Sequence, residues 1–239
     1  MDAKPKEVVP ARKFKVVSVV EADGRFQIQV DGKPAYTPER RVLESPQRAL
    51  IDAVAAEWSG EGRALNPSAM PLTRLLATQI DRVAPQRTAI IAGLVTYIES
   101  DVLCYRAPEP PELKTRQDNV WQPVLNWLAQ TFGVDLASVD GITPIRQSEA
   151  ASGAMIAALE KLNDAALTAL QAAASVTNSL GLSMALVHGR MNAPAVHAAA
   201  HLDELFQIEK WGDDDIPRQR REAVAADLDA IDRFLKLNT

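Results

Sequence analysis

The chain has 239 residues, 47% of them hydrophobic and 24% charged, enough to bury a core in one large or two small domains. Its 31 acidic against 26 basic side chains leave a formal charge of −5, which excludes a broad phosphate-tracking surface and counts against nucleic acid as a partner. A single cysteine, Cys104, rules out an internal disulfide and a cysteine-rich metal cage. It reads as a small buried hydrophobe in a protein of a reducing compartment. The opening Met1-Asp2-Ala3-Lys4-Pro5-Lys6 lacks both the apolar core of a secretory signal and the Arg-rich pattern of a transit peptide, so the expected location is the bacterial cytoplasm.

In chain order, residues 1–60 predict a small β-rich domain. Phe14 to Val20 is rich in β-branched residues, Ala22-Asp23-Gly24 supplies turn chemistry, and Phe26, Ile28 and Val30 alternate, which together spell a hairpin. Asp31-Gly32 offers a second tight turn, followed by short strands near Pro34 to Thr37 and Val42 to Glu44. Ser45-Pro46 predicts a capped helix start. Leu50, Val54 and Trp58 then recur at helical spacing, so the helix is expected to lie across the sheet with Trp58 buried as a structural residue.

Residues 61–239 predict a larger, all-helical domain, giving an α+β protein. Leu72, Leu75, Leu76, Ile80 and Val83 repeat at helical period after Pro71, and Ile90, Ile91, Leu94, Val95 and Ile98 do so after Pro85. Asp101 to Arg106 reads as short and extended. Beyond Pro108, Pro110 and Pro111, a helix running to Phe132-Gly133 should gather Val120, Trp121, Val124, Leu125 and Leu128 on one side. An irregular connection from Val134 to Pro144 leads to alanine-rich helices at Ser148–Leu162, Asp164–Gly189, Pro194–Trp211 and Pro217–Leu237. Ala165 to Gly189 holds no Asp, Glu, Lys or Arg and has the length of a bilayer span. Its Thr, Gln, Ser and Asn side chains and its many alanines argue against membrane insertion, leaving one buried helix or two that meet near Asn178 to Gly181.

Signatures of nucleotide binding and of acyl transfer are missing: there is no G-x-x-x-x-G-K-[ST], no G-x-G-x-x-G and no G-x-S-x-G. His197 and His201, four apart on a helix, could hold zinc if a third ligand converged, and a metal-dependent hydrolase using them with a nearby carboxylate is the enzymatic alternative. Partly exposed histidines titrating near neutrality are the simpler reading. Residues 201–239 carry ten acids and six bases, so most of the net charge lies there.

Several blocks, taken together, carry a resemblance. Val30-Asp31-Gly32-Lys33-Pro34, Thr37-Pro38, Ala56-Glu57-Trp58, Met70-Pro71-Leu72-Thr73-Arg74-Leu75 and Ile80-Asp81-Arg82-Val83 come first. Asp101-Val102-Leu103-Cys104-Tyr105-Arg106, Trp121-x-Pro123-x-Leu125-x-Trp127 and Leu202-Asp203-Glu204-x-Phe206-Gln207-Ile208-Glu209-x-Trp211-Gly212 follow. In order and spacing they resemble the assembly chaperones for the α subunit of F-type ATP synthase, over most of the chain from about Phe14 to Phe234. The resemblance implies a non-enzymatic holding chaperone without a cofactor. It would bind newly made α subunit, cover the apolar interface that would otherwise aggregate, and yield it to the β subunit. The family's acidic-aromatic block falls on Asp203, Glu204, Gln207, Glu209 and Trp211, the candidate client-binding residues, with Glu204 foremost. Trp211 can equally be the last core residue before a helix stop at Gly212. Pro71 is expected to shape a helix start, and Arg74 to serve as an ion-pair partner or interdomain tether.

Overall fold

The computed structural model describes residues 16–59 and 66–239; the expected strand start at Phe14, the Met1–Lys6 run and Gly60 and Gly62 lie outside the described residues. By their contacts the residues fall into two units, Met1–Asp81 with Leu237–Thr239, and Arg82–Lys236.

In the first unit, β1 (Val17–Ala22) and β2 (Arg25–Val30) form the expected hairpin, in register from Val17 opposite Val30 to Ala22 opposite Arg25. Its two-residue turn puts Asp23 at φ 52° and Gly24 at φ 74°, the left-handed pair that matches the strand twist. Asp31 and Gly32 repeat this geometry and bring β3 (Lys33–Pro34) back onto β2. β4 (Glu44–Ser45) pairs with the other end of β2, so β2 is central, with β1 on one edge and β3 and β4 sharing the other. Helix α1 (Arg48–Trp58) packs across this sheet, burying Leu50, Ile51 and Val54 in a core with Ile28 and Leu43. It begins later than Ser45-Pro46 suggests: Ser45 Oγ accepts from Gln47 N–H at 3.1 Å, and Gln47, still extended, is the residue before the first turn.

Helix α2 (Pro71–Thr78) starts against the end of α1. Pro71 occupies the first helical position, where its missing N–H costs nothing. The orphan N–H groups of Leu72 and Thr73 donate to the Glu57 carboxylate, both at 2.8 Å, and the Thr73 hydroxyl adds a third bond at 2.6 Å. Trp58 is half-buried rather than enclosed, its Nε1–H reaching Thr73 Oγ1 at 3.2 Å. Arg74 lies exposed on α2. A π-helical turn, Gln79–Val83, follows, and in it the buried Asp81 accepts from the Thr37 hydroxyl at 2.7 Å and from Glu39 N–H at 3.1 Å.

The second unit is helical: α3 (Arg87–Val95), α4 (Pro111–Phe132), α5 (Glu149–Glu160), α6 (Asp164–Thr177), α7 (Leu180–Val187), α8 (Ala193–Ala200), α9 (Leu202–Trp211) and α10 (Asp215–Leu237), whose last residue groups with the first unit. The starts of α5 to α8 are set by local chemistry, since Ser148, Asn163, Ser179 and Asn192 each accept an N–H three residues on. The charge-free stretch is two helices, broken where Asn178 turns left-handed at φ 52°. Every residue from Leu180 to Leu186 is buried, as a helix with no polar face requires. No helix among the described residues is long and apolar enough to cross a membrane.

Three local expectations change. Asp101 to Arg106 is not uniformly extended: Asp101 caps a 3₁₀ turn at Val102–Cys104, and only Tyr105–Arg106 forms a strand (β5), parallel to β6 (Val139–Asp140). The Pro194–Trp211 segment is two helices broken at His201, which ends α8 and precedes α9. Val120, expected on the inner face of α4, lies at its outer edge, 37% exposed.

At the centre of this unit Asp101 is fully buried. Its carboxylate accepts from the Ser179 hydroxyl at 2.7 Å, Gly181 N–H at 2.9 Å and Leu103 N–H at 3.1 Å. Ser179 Oγ in turn accepts Leu182 N–H, so the buried start of α7 is satisfied from a segment 80 residues away. A β-carbon on Gly181 would stand 2.6 Å from Leu103 Cδ1 and 3.2 Å from Leu128 Cδ1, so a bare backbone is what lets α7 reach the carboxylate. Burial pushes the Asp101 pKa up from 3.8, against the downward pull of the bonds from Gly181, Ser179, Leu103 and Leu180. Its titration thus contributes stability below the ordinary value that fades as pH rises through the raised one.

Two substitutions test these caps by urea denaturation. Glu57→Ala, which strips the α2 start of its acceptor, is expected to cost about 1–2 kcal/mol. Asp101→Ala leaves three buried donors without an acceptor and is expected to cost about 3 kcal/mol or more; an unchanged midpoint would refute its central place.

Candidate functional site

The acidic-aromatic block forms α9, an amphipathic helix whose inner side chains are Leu202 and Phe206. On one flank it is tied to α4. Gln117, fully buried on α4, accepts Ala107 N–H at 2.7 Å and donates to Asp203 Oδ1 at 2.7 Å. One turn on, Trp121 is buried with its Nε1–H on the Ala199 carbonyl at 2.9 Å, under the Arg106 guanidinium, which lies 5.2 Å from its ring centre. Arg116 pairs in a two-pronged fashion with Glu209, at 2.8 and 2.7 Å, and covers the Phe206 ring at 5.1 Å. Each partner holds the other ionised: the Arg116 bond lowers the Glu209 pKa, and Glu209 raises that of Arg116.

On the other flank stands Arg221 of α10, buried to 6% exposure. Its guanidinium forms ion pairs with Glu204 and with Asp213, joining α9, the turn after it and α10. The carbonyl of Arg221 also faces His197 Nε2 at 3.0 Å, which brings α8 to the same point. The bond to Asp213 raises the Arg221 pKa, against the lowering effect of desolvation, and Glu204 adds to the rise.

Beyond these ties the tip of α9 faces solvent. Gln207 is exposed, and Trp211 is 78% exposed, so Trp211 does not close a core before Gly212. Of the five candidate residues, three have carboxylates engaged by named partners: Asp203 by Gln117, Glu204 by Arg221 and Glu209 by Arg116. Gln207 and Trp211 point outward. Pro71, Trp58 and Arg74 belong to the first unit and are no part of this constellation.

The histidine pair is close, with ring centroids 4.5 Å apart. His201 Nδ1 lies 3.0 Å from the His197 carbonyl, so each ring has one nitrogen against backbone. His188, the remaining histidine, packs on Phe132 at 4.8 Å and Trp127 at 6.0 Å instead of joining them. Among the described residues no three His, Cys, Asp or Glu side chains gather so as to hold a metal ion, so the hydrolase alternative is not favoured. Cys104 is buried and its thiol is pushed up to about 12, first by burial and then by Asp101, which leaves it unreactive.

Arg221 and Gln117 are absent from the sequence reading. A signal for Arg221 exists: with Leu228, Ile231 and Phe234 it continues the inward face of α10 at spacings of seven, three and three, where an arginine is out of place unless paired.

The sequence profile described as ATP12 chaperone protein matches residues 11–129. The mitochondrial protein ATP12 of Saccharomyces cerevisiae is 23% identical over 233 residues, covering 80% of this chain and 72% of the yeast protein. The crystal structure of Atp12 from Paracoccus denitrificans superimposes with a TM-score of 0.87 at 33% identity, over 95% of this chain and 98% of that one. A protein of Agrobacterium tumefaciens proposed to be a chaperone matches with a TM-score of 0.89 at 35% identity, over 96% and 87% of the two chains.

The site has an expected pH response. Burial first, then the neighbouring His201, lowers the His197 pKa from 6.5, opposed by the bond to the Arg221 carbonyl and by Asp229, while the Arg221 charge adds to the lowering. The folded state therefore favours neutral imidazole, and this contribution is present above pH 6.5 and lost as pH falls through the lower folded-state value. Urea midpoints measured from pH 7.5 to 5 should fall, and fall less steeply in His197→Gln; parallel curves would refute this assignment.

Proposed function

Because the chain belongs to the ATP12 chaperone family, whose members serve in ATP synthase assembly, we propose that it holds the unassembled α subunit of F-type ATP synthase until the β subunit takes it over. It shields the apolar interface of the free α subunit and catalyses no reaction, in a bacterial cytoplasm. The observation that carries this reading beyond family membership is α9: a helix anchored on both flanks by Gln117, Arg116 and Arg221, with the large apolar side chain of Trp211 standing in solvent at its end. A rigidly held aromatic loses little freedom on docking, which suits a surface that must grip and then release. We place the client on α9, with Asp203, Glu204, Gln207, Glu209 and Trp211 as the residues that form or frame the contact. Handover needs no energy source if β covers more of the same surface than the chaperone does.

Isolated α subunit diluted from denaturant should stay soluble in the presence of stoichiometric chaperone, and added β subunit should displace the chaperone on a sizing column. Neither step should require or consume nucleotide. Equal capture of α and β, or of neither, would overturn the proposal, whereas a stable three-component complex would overturn only the displacement step.

A further inference from the structure

The turn between α9 and α10 carries two of the most exposed large apolar side chains among the described residues, Trp211 at 78% and Ile216 at 82%. Between them runs Asp213-Asp214-Asp215, and from Glu209 to Ile216 there are four acids against the single base Lys210. Two of the three aspartates are committed: Asp213 to Arg221, and Asp215 to Arg218 at 2.6 Å. The Asp214 backbone carbonyl accepts from Arg218 N–H, and no side-chain partner stands against its carboxylate among the described residues. The turn is also held in place, by Gly212 N–H on the Ile208 carbonyl at 2.9 Å and by the Asp213–Arg221 pair, so a partner would meet it preformed.

We propose that this turn docks a segment of the client in which a lysine or arginine stands between two apolar side chains, with Trp211 and Ile216 receiving the apolar groups and Asp214 the cation. The assignment rests on the reading of the chain as an α-subunit chaperone and specifies which part of it makes first contact and with what chemistry. An acidic surface flanked by apolar groups favours a basic apolar strip over an acidic one, because like charges opposed across a contact are costly. The uncommitted carboxylate supplies direction, and the indole supplies most of the grip.

The test is the affinity of purified α subunit for the full chain and four variants, followed by titration calorimetry at low and at raised salt. Trp211→Ala with Ile216→Ala is expected to bind about 30-fold more weakly. Asp214→Lys should bind about 10-fold more weakly, and Asp214→Asn should weaken binding less and flatten its salt dependence. Ile142→Ala, which removes another exposed apolar side chain, should bind as the unaltered chain does. All sites are exposed, so thermal midpoints should match except for a small drop in Asp214→Lys, which puts a cation at the head of α10; Asp214→Asn, which keeps a capping residue type there, controls for it. If the unaltered chain fails to bind α, the chaperone reading itself falls. If it binds while the turn variants bind equally well, that reading stands and the docking turn is wrong. The turn is equally wrong if the double variant only converts a self-associated chain to monomer in sedimentation and leaves α binding untouched.

Discussion

The first backbone N–H groups of a helix have no partner within it, and in this protein two helices solve that problem with a carboxylate from a distant segment. The case of α7 governs the rest. Its start is buried in an interior of leucine, methionine and alanine, and Asp101 reaches in to accept from Gly181 while Ser179 links Leu182 to the same carboxylate. The neighbouring starts of α5, α6 and α8 use a serine or asparagine of their own. A remote acid is needed for α7 because its surroundings are closed on all sides, so the route of the Asp101 segment and the seat of α7 are one decision. The carboxylate pays for desolvation with its hydrogen bonds, and its raised pKa shows that they do not fully offset the cost.

The same device recurs nearer the surface with a different outcome. Gln117 and Arg221 are buried polar side chains that reach outward to α9, and what they hold are two carboxylates of a helix whose far end is wet. Asp203 and Glu204 are therefore anchored at the root of α9, while Trp211 projects at its tip. A charge paired on a rigid support and an indole in solvent are complementary properties of one element: the first limits how α9 can move, and the second gives it something to offer.

Much of this was legible from residues alone. The two Asp-Gly turns, the sheet they build and the helix across it follow from local chemistry, and the apolar repeats after Pro71, Pro85 and Pro111 place α2, α3 and α4. The break at His201 left no mark, because neither glycine nor proline sits there and residues compatible with a helix run on both sides. Asp101 read as the start of an extended piece because its real partners lie at Ser179 and Gly181, and sequence spacing carries no information about such a pairing. Seen in three dimensions, several blocks behind the family resemblance are halves of one bond: Thr37 with Asp81, Glu57 with Leu72 and Thr73. At α9 the sequence named residues but not their occupation, since whether a glutamate is free or clamped depends on an arginine seventeen residues away.

The 80 residues between Asp101 and Gly181 also set a clock. A ribosome adding about 5–20 residues per second needs on the order of 10 s to deliver the second partner after the first. Throughout that interval Asp101 is hydrated and charged, and helices α3 to α5 have emerged without the apolar rod they are to surround. The helical unit closes only when α7 arrives, at which point a solvated carboxylate must give up its water in the same event that buries Leu180 to Leu186. This member of a chaperone family thus has an unfinished apolar surface of its own during synthesis, and depends on the length of that delay.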